Sequence, residues 1–198
     1  TETVKRDRQE IVAEIFNNVT ESEWYQLLEQ ENIVVITVLH STYRMLRFIR
    51  SSVTAHRWFE LLTLTNKSTR QTVLHLAAYN GLGDMFREIK KSLTPVQWHQ
   101  LLATTDLDKH TALHRVACHG HFDIARGICG SLRKDQLYKL LTVVDRKQQT
   151  LQHFLTNNRD SNNHFKMIVE IKRFLSTDQW TNLVLLKDRQ HMTPLLQM

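Results

Sequence analysis

Apolar side chains recur along this chain at helical spacing. Over residues 4–19 they lie three and four positions apart, which predicts an amphipathic helix. A longer pattern then occurs five times: a cap position, a Trp or Leu four residues later, and two adjacent apolar residues at the seventh and eighth positions. The copies begin at Thr20, Thr54, Thr94, Arg133 and Ser176. These apolar positions share one side of a helix, so each copy predicts a helix with one buried face.

The tryptophans of this pattern admit two interpretations. Four of the five copies carry one, namely Trp24, Trp58, Trp98 and Trp180, and Leu137 takes the place in the fourth. An aromatic residue in an apolar stripe normally indicates burial. We therefore expect core residues, with a Trp-lined ligand groove as the alternative.

A threonine-led segment recurs between these predicted helices. Its two most similar copies occupy residues 72–81 and 111–121, and weaker copies begin at Thr37, Thr150 and Thr193. Successive threonines lie 35, 39, 39 and 43 residues apart. Self-similarity at such a period is typical of stacked structural repeats. Asn or Asp precedes each threonine and predicts a turn, at Asn32, Asn66, Asp106, Asp145 and Asp188.

The two strongest copies resemble the signature of the ankyrin repeat family, which reads Thr-Pro-Leu-His, then Ala-Ala, then Gly-His. The resemblance implies an inner helix that starts at the threonine, an outer helix after the glycine, and a curved solenoid that binds other proteins. It also implies structural roles for His40, His75, His114 and His153.

Two features depart from that family. The repeat is about 39 residues instead of about 33, because an additional Trp-bearing segment follows the outer helix. The glycine of the family's finger turn is replaced by Val35, Arg70 (or Thr69), Lys109, Gln148 and His191. We predict an all-α helical repeat solenoid of ankyrin-like helix pairs, with an additional Trp-bearing helix per repeat and loops in place of β-hairpin fingers.

The predicted domain organisation is a single repeat array over residues 1–198. Residues 1–19 form a partial or capping helix, and the units start near residues 20, 54, 94, 133 and 176. Because the first helix resembles the outer helix of an earlier unit, we expect the chain to be a fragment of a longer protein.

Composition changes this interpretation little. Only 5 Gly and 2 Pro occur, which favours a helical chain, and two cysteines are too few for a disulfide framework. The longest nearly apolar run, residues 33–39, is far shorter than the roughly 20 residues that cross a bilayer. We expect an intracellular, cytoplasmic protein without a membrane span, with the nucleus as an alternative location.

The sequence offers no pattern for catalysis or cofactor binding. It contains no Gly-rich phosphate loop, no nucleophile elbow and no zincin helix. His110, His114 and Cys118 lie four apart, a spacing that zinc accepts, but His114 occupies a repeat position shared by units without cysteine. We therefore predict a protein that is not an enzyme and holds no metal, cofactor or small-molecule substrate.

Variable residues at fixed repeat positions are the candidate partner contacts. If the resemblance holds, four lie between the Ala and Gly positions and face the concave surface: Tyr79, Asn80, Cys118 and His119. Four more lie on the adjoining loops: Lys109, His110, Lys147 and Gln148. Variation on a constant scaffold is what a binding surface requires. We predict a scaffold that binds a partner protein or peptide through this surface and its loops.

Charge provides an alternative. The net charge is +6, but residues 1–32 carry three basic and eight acidic side chains, or −5, which leaves +11 for the remainder. Basic residues recur on the predicted outer helices, as Arg44, Arg47, Arg50, Arg87, Lys90 and Lys91. Such a face is either solvated or binds nucleic acid or anionic lipid, and the second choice would make binding strongly salt-dependent.

Overall fold

The computed structural model describes residues 2–30, 34, 43–157 and 162–197. These residues form α-helices joined by short loops and contain no β-strand, which confirms the predicted all-α class. In chain order the helices are α1 (Glu2–Asn17), α2 (Glu21–Gln30), α3 (Tyr43–Ser51), α4 (Ala55–Thr63), α5 (Val73–Tyr79), α6 (Gly83–Lys91), α7 (Pro95–Ala103), α8 (Ala112–Cys118), α9 (Phe122–Cys129), α10 (Lys134–Leu141), α11 (Leu151–Asn157), α12 (Asn162–Phe174) and α13 (Thr177–Leu185), followed by a 3-10 helix (Pro194–Gln197).

The helices fall into three classes that alternate along the chain. The inner helices α5, α8 and α11 follow a threonine, and the outer helices α3, α6, α9 and α12 come next where both are described. The Trp helices are α2, α4, α7, α10 and α13. Three helices per repeat are therefore observed, as the sequence predicted. The exact division into units remains a prediction.

Successive helices of one class pack against each other. Helix α8 contacts α5 and α11, while the outer helices pack in the order α3, α6, α9, α12, and the Trp helices in the order α2, α4, α7, α10. Each repeat thus adds one helix to each of three parallel layers, as in a solenoid built from nearest-neighbour contacts. None of the described helices combines the length and the apolar character that crossing a bilayer requires.

Helix starts follow the capping chemistry of the sequence. The side chains of Thr54, Thr94 and Ser176 each accept a hydrogen bond from the backbone amide three residues ahead. Pro95 occupies the first turn of α7, where its missing N–H costs no helical hydrogen bond. The Trp helices therefore begin where the sequence pattern places them.

The tryptophans of the first three copies are core residues, as expected, whereas Trp180 of the fifth copy is only partly buried. Trp24, Trp58 and Trp98 are at most 3% exposed. The indole Nε1 of each donates a hydrogen bond of 2.8 Å to a serine at the end of the following outer helix, the partners being Ser52, Ser92 and Ser131. The same indole–serine hydrogen bond thus links each of these Trp helices to the outer helix that follows it. The fourth copy loses both partners together, because Leu137 replaces the tryptophan and Phe174 stands at the corresponding serine position.

Helix α1 joins the array through aromatic contacts. The Phe16 ring centroid lies 5.3 Å from that of Trp24 and 5.7 Å from that of Phe48, both edge-on. Part of its predicted apolar face remains outside the core, since Ile11 is 57% and Ile15 42% exposed. The periodicity indicated the helix correctly but overstated the width of the buried face.

Candidate functional site

Asn and Asp residues build the turns that precede the inner helices. In the turn at Asp106, the carboxylate Oδ1 accepts hydrogen bonds of 2.9 Å from the amides of Asp108 and His110. Asp145 and Asp188 accept the corresponding pairs of amides in the next two turns. Asn66 accepts the amides of residues 68 and 69 in the first described turn. The acidic residues are therefore structural, as the turn prediction requires.

Each described turn contains one residue with a left-handed backbone conformation, although none of these residues is glycine. The backbone φ is 54° at Arg70, 63° at Lys109, 61° at Gln148 and 60° at His191. These are the positions at which the ankyrin signature has glycine. The sequence led us to expect loops without fingers, and the described residues contain only an isolated bridge between Thr105 and Thr111. The tight turn nevertheless persists, because the Asp side chain satisfies its amides and supports the strained residue.

The turns stack in register along the array. The amide of Leu107 donates to the carbonyl of Thr69 at 3.0 Å, that of Arg146 to Asp108 at 3.2 Å, and that of Arg189 to Lys147 at 3.1 Å. We call the exposed tips, residues 67–70, 107–109, 146–148 and 189–191, the turn ladder. Its backbone is fixed by repeated bonds, so its side chains project from defined positions.

The repeat histidines have structural roles, in agreement with the resemblance. Nδ1 of His75 accepts the Thr72 amide at 3.2 Å, and its Nε2 faces the His110 carbonyl at 2.9 Å in the next repeat. His153 makes the same two contacts with Thr150 and Met192. Burial lowers the pKa of His75, which keeps the ring neutral and able to accept one bond while donating the other. His40 and Val35 lie outside the described residues.

The third repeat histidine departs from this pattern. His114 Nδ1 accepts the Thr111 amide at 3.3 Å, but its buried Nε2 has no hydrogen-bond partner among the described residues. The ring instead stacks on His110 at 5.7 Å and meets the edge of Phe154 at 5.5 Å. Burial lowers the pKa of His114 to about 3.

The residues considered for a metal site are engaged in other contacts. His114 is held by Thr111, and burial raises the pKa of the Cys118 thiol, which disfavours the thiolate that a metal needs. Asp106, Asp108 and His110 do bring ligand atoms within 4.8 Å of one another. However, Asp106 accepts two backbone amides through Oδ1 and forms an ion pair with Arg115 through Oδ2. Both oxygens of this carboxylate are therefore engaged in holding the turn and Arg115.

The predicted contacts at the ends of the inner helices come together on the surface. Tyr79 is 54% exposed, and its ring centroid lies 4.6 Å from that of His119 in the next repeat. His119 in turn lies parallel to His121, with centroids 6.1 Å apart. Asn80 is exposed but bonds its own helix through the Leu76 carbonyl, and Cys118 is half-buried. Tyr79 and His119 therefore form the centre of this surface.

A glycine makes that ring stack possible. Gly81 has φ +67°, and a β-carbon placed on it would lie 2.6 Å from Cε1 of His121. The His121 ring thus rests directly on the glycine, with Nε2 3.4 Å from the Tyr79 carbonyl. Any side chain at position 81 would displace the ring and strain the backbone.

The four residues predicted to contact a partner from the loops fall into two groups, three that are exposed and one that lies between the repeats. Lys109, Lys147 and Gln148 are exposed on the turn ladder. His110 points between the repeats, where its side chain is 13% exposed, its Nε2 lies 3.6 Å from Asp145 Oδ2, and its ring meets Phe154 at 5.1 Å. The first three can reach a partner, whereas His110 supports the interface between units.

Acidic neighbours compensate several cations of the outer helices. Arg47 and Lys91 both contact Glu88, at 2.7 and 3.2 Å, and these hydrogen bonds lower the pKa of Glu88 to about 2. Arg87 pairs with Asp84. Arg50 is half-buried against the Val53 carbonyl, while Arg44 and Lys90 are exposed without an ion pair in the described part of the chain. The six residues of the anion alternative therefore do not form one uncompensated ridge.

Two features of the structure escaped the sequence interpretation. The serines that bind the indoles recur two residues before a cap position, at Ser52, Ser92 and Ser131, and this regularity could have revealed them. Basic residues also recur just after the turn Asn or Asp, at Lys67, Arg146 and Arg189. That second regularity places positive charge on the turn ladder.

Comparison with known proteins gives a fold relationship. No protein-family model and no curated protein matches this chain. Among solved structures, a chain of the crystal structure of the yeast ribosomal protein Rps3 in complex with its chaperone Yar1 matches with a TM-score of 0.53. The match covers 73% of this chain and 91% of that chain at 15% sequence identity. The chain is thus an all-α protein of stacked helical layers, similar in fold to one component of a complex between a ribosomal protein and its chaperone.

Proposed function

We propose that this chain is a non-enzymatic protein-interaction module of ankyrin-like repeats. It binds a partner protein or peptide through the concave surface and the adjoining turns. The placement of its structural histidines and left-handed turn residues supports the ankyrin relationship. The similar fold of a chain from a protein–chaperone complex is compatible with a binding role, and we place the module in the cytoplasm.

The exposed ring pair of Tyr79 and His119 is the observation that carries this proposal. Tyr79 ends one inner helix and His119 follows the next, so the pair spans two repeats. Each ring is presented on a scaffold in which the turn carboxylate of Asp106 and the amides of Thr72 and Thr111 are hydrogen-bonded internally. Aromatic side chains with a polar edge are frequent anchors of protein interfaces, because they bury a large area with little loss of conformational entropy.

Outer-helix binding of nucleic acid or anionic lipid is the weaker alternative. Glu88 lies between Arg47 and Lys91 and pairs with both, and Asp84 pairs with Arg87. An anion approaching these residues would have to displace carboxylates that are already bound. At the exposed Tyr79, no carboxylate forms such a pair within the described part of the chain.

Site-specific photo-crosslinking tests the proposal. A benzophenone amino acid placed at Tyr79 should give discrete adducts with proteins of a cytosolic extract, and these adducts should disappear in a His119→Ala background. Phe165 on outer helix α12 is the matched control, since it is an aromatic residue of comparable exposure, 66% against 54%. Discrete adducts at residue 165 and none at residue 79 would contradict binding through the concave surface.

A further inference from the structure

The turn ladder carries positive charge that the described protein does not neutralise. Its basic side chains are exposed, and none forms an ion pair within the described residues: Lys67, Arg70, Lys109, Arg146, Lys147 and Arg189. The only acid on the ladder is Asp108, whose carboxylate lies 3.6 Å from Arg115 on helix α8. On the outer helices, by contrast, Arg47, Arg87 and Lys91 each have a carboxylate within ion-pair distance.

The backbone fixes these charges in one row. The bonds from Leu107 to Thr69, from Arg146 to Asp108 and from Arg189 to Lys147 hold adjacent turns in register. Like charges that are held in a row repel one another, and a bound anionic chain relieves that repulsion. The row therefore favours an elongated acidic ligand over a single small anion.

We propose that the turn ladder binds an extended acidic peptide segment of the partner protein. This inference rests on the proposed function and specifies the chemistry of the partner. Stacked helices lie about 8–10 Å apart, so successive turns are separated by a similar step. A peptide in the polyproline II conformation rises about 3.1 Å per residue and has three residues per turn, so acidic side chains at every third position share one face about 9 Å apart and would meet one turn after another.

The side chains of the ladder favour a peptide over a nucleic acid. Leu107 is 44% exposed and occupies the position of one turn at which Lys67, Arg146 and Arg189 stand in the others. An apolar side chain within the row can contact an apolar residue of a peptide but gains nothing from a phosphate. The four described tips contain no Phe, Tyr or Trp, whereas single-stranded nucleic acids are bound by stacking on aromatic rings.

Fluorescence anisotropy with defined probes tests this proposal. The main probe is a labelled peptide of about 12 residues, four repeats of Glu-Ser-Gly, which in the polyproline II conformation is long enough to span four turns. The probes for comparison are the Lys-Ser-Gly peptide of equal length and a single-stranded uridine RNA of similar length. We expect only the acidic peptide to bind, with affinity at least about fivefold weaker at 300 mM than at 50 mM salt, because exposed charges are screened.

Charge reversal locates the binding surface. The triple variant Arg146→Glu, Lys147→Glu, Arg189→Glu should bind the acidic peptide at least about tenfold more weakly. The matched control is Arg44→Glu, Lys90→Glu, Lys139→Glu, which makes the same charge change on exposed helical positions and should change the affinity less than about twofold. Far-UV circular dichroism and the thermal midpoint check the fold of both. If the reversal prevents folding, substitution of the same three ladder residues by Gln replaces it.

The outcomes separate this inference from the proposed function. Three results would overturn the acidic-peptide inference. The two triple variants could lose affinity for the acidic peptide equally, or the acidic peptide could fail to bind the parent protein. The third is that the RNA binds more tightly than the acidic peptide and depends on the same ladder residues. If residue 79 still gives discrete crosslinked adducts in any of these cases, the proposed protein-interaction function is retained and only the acidic-peptide inference is rejected. If residue 79 gives no adducts but the acidic peptide still binds the turn ladder, binding through the concave surface is rejected instead.

Discussion

Replacing Trp98 with alanine tests the idea that the Trp helices hold the array together. Trp98 is 3% exposed, and its indole Nε1 donates a hydrogen bond of 2.8 Å to Ser131 Oγ at the end of the following outer helix. A buried aromatic side chain removes about 200 Å² from water, which at about 25 cal/mol per Å² corresponds to about 5 kcal/mol. The lost hydrogen bond costs little more, because Ser131 Oγ still donates to the Ile128 carbonyl at 2.7 Å.

We therefore expect Trp98→Ala to lower the free energy of unfolding by about 3–5 kcal/mol, which is the range observed for large aromatic truncations. Urea denaturation followed by circular dichroism at 222 nm measures this change. Val96 on the same helix is 72% exposed and provides the control, since Val96→Ala should stay within about 0.5 kcal/mol of the parent. Repeat arrays can unfold in parts, so the fluorescence of the remaining tryptophans should report the same transition. A loss below about 1 kcal/mol for Trp98→Ala would refute the packing argument.

Three further predictions follow from individual contacts. In a double-mutant cycle, Trp98→Phe and Ser131→Ala should show a coupling energy of about 0.5–1.5 kcal/mol, and additive effects would contradict the indole–hydroxyl bond. Gln148 has φ 61°, so Gln148→Gly should raise the free energy of unfolding by up to about 1 kcal/mol, whereas Gln148→Ala should not; equal effects would argue against the left-handed backbone. Burial lowers the pKa of His114 from 6.5 to about 3, so the unfolded chain binds a proton that the folded chain excludes. The free energy of unfolding should therefore fall as pH decreases from 6.5 towards 3, by up to about 1.4 kcal/mol per pH unit. Denaturation at several pH values should show a smaller dependence of this free energy on pH for His114→Gln than for the parent. An unchanged dependence would show that His114 is not the group responsible.

The repeat architecture could be predicted because each unit repeats the same local code. A cap, a Trp or Leu four residues on and a pair of apolar residues specify a helix and its buried face without reference to other units. The Thr94 cap, Pro95 and the buried pair Leu101 and Leu102 of helix α7 all lie where the sequence places them. Capping and helical periodicity depend on residues a few positions apart, so such features are readable from one segment.

The candidate site was predicted only in part. Tyr79 and His119 belong to different repeats, and their ring contact depends on how two units are stacked. The resemblance places Gly81 just before an outer helix, but its close contact with His121 involves a side chain 40 residues away. His110 was expected to face a partner, whereas the structure places it between units, against Asp145 and Phe154. Sequence position along a loop does not fix the side of the loop on which a residue lies.

The sequence by itself determined the all-α class, the number of helices per repeat and the residues that fill each layer, because these follow from spacing within one unit. Only the tertiary structure decided which cations remain uncompensated. Lys91 on an outer helix pairs with Glu88, one turn away, and Arg47 reaches the same carboxylate from the neighbouring outer helix. Arg146 and Arg189 stand on turns that align only when the repeats stack. Charge on a surface depends on neighbours in space, and in a repeat array some of those neighbours, such as Glu88 for Arg47, come from other units, here 41 residues along the chain.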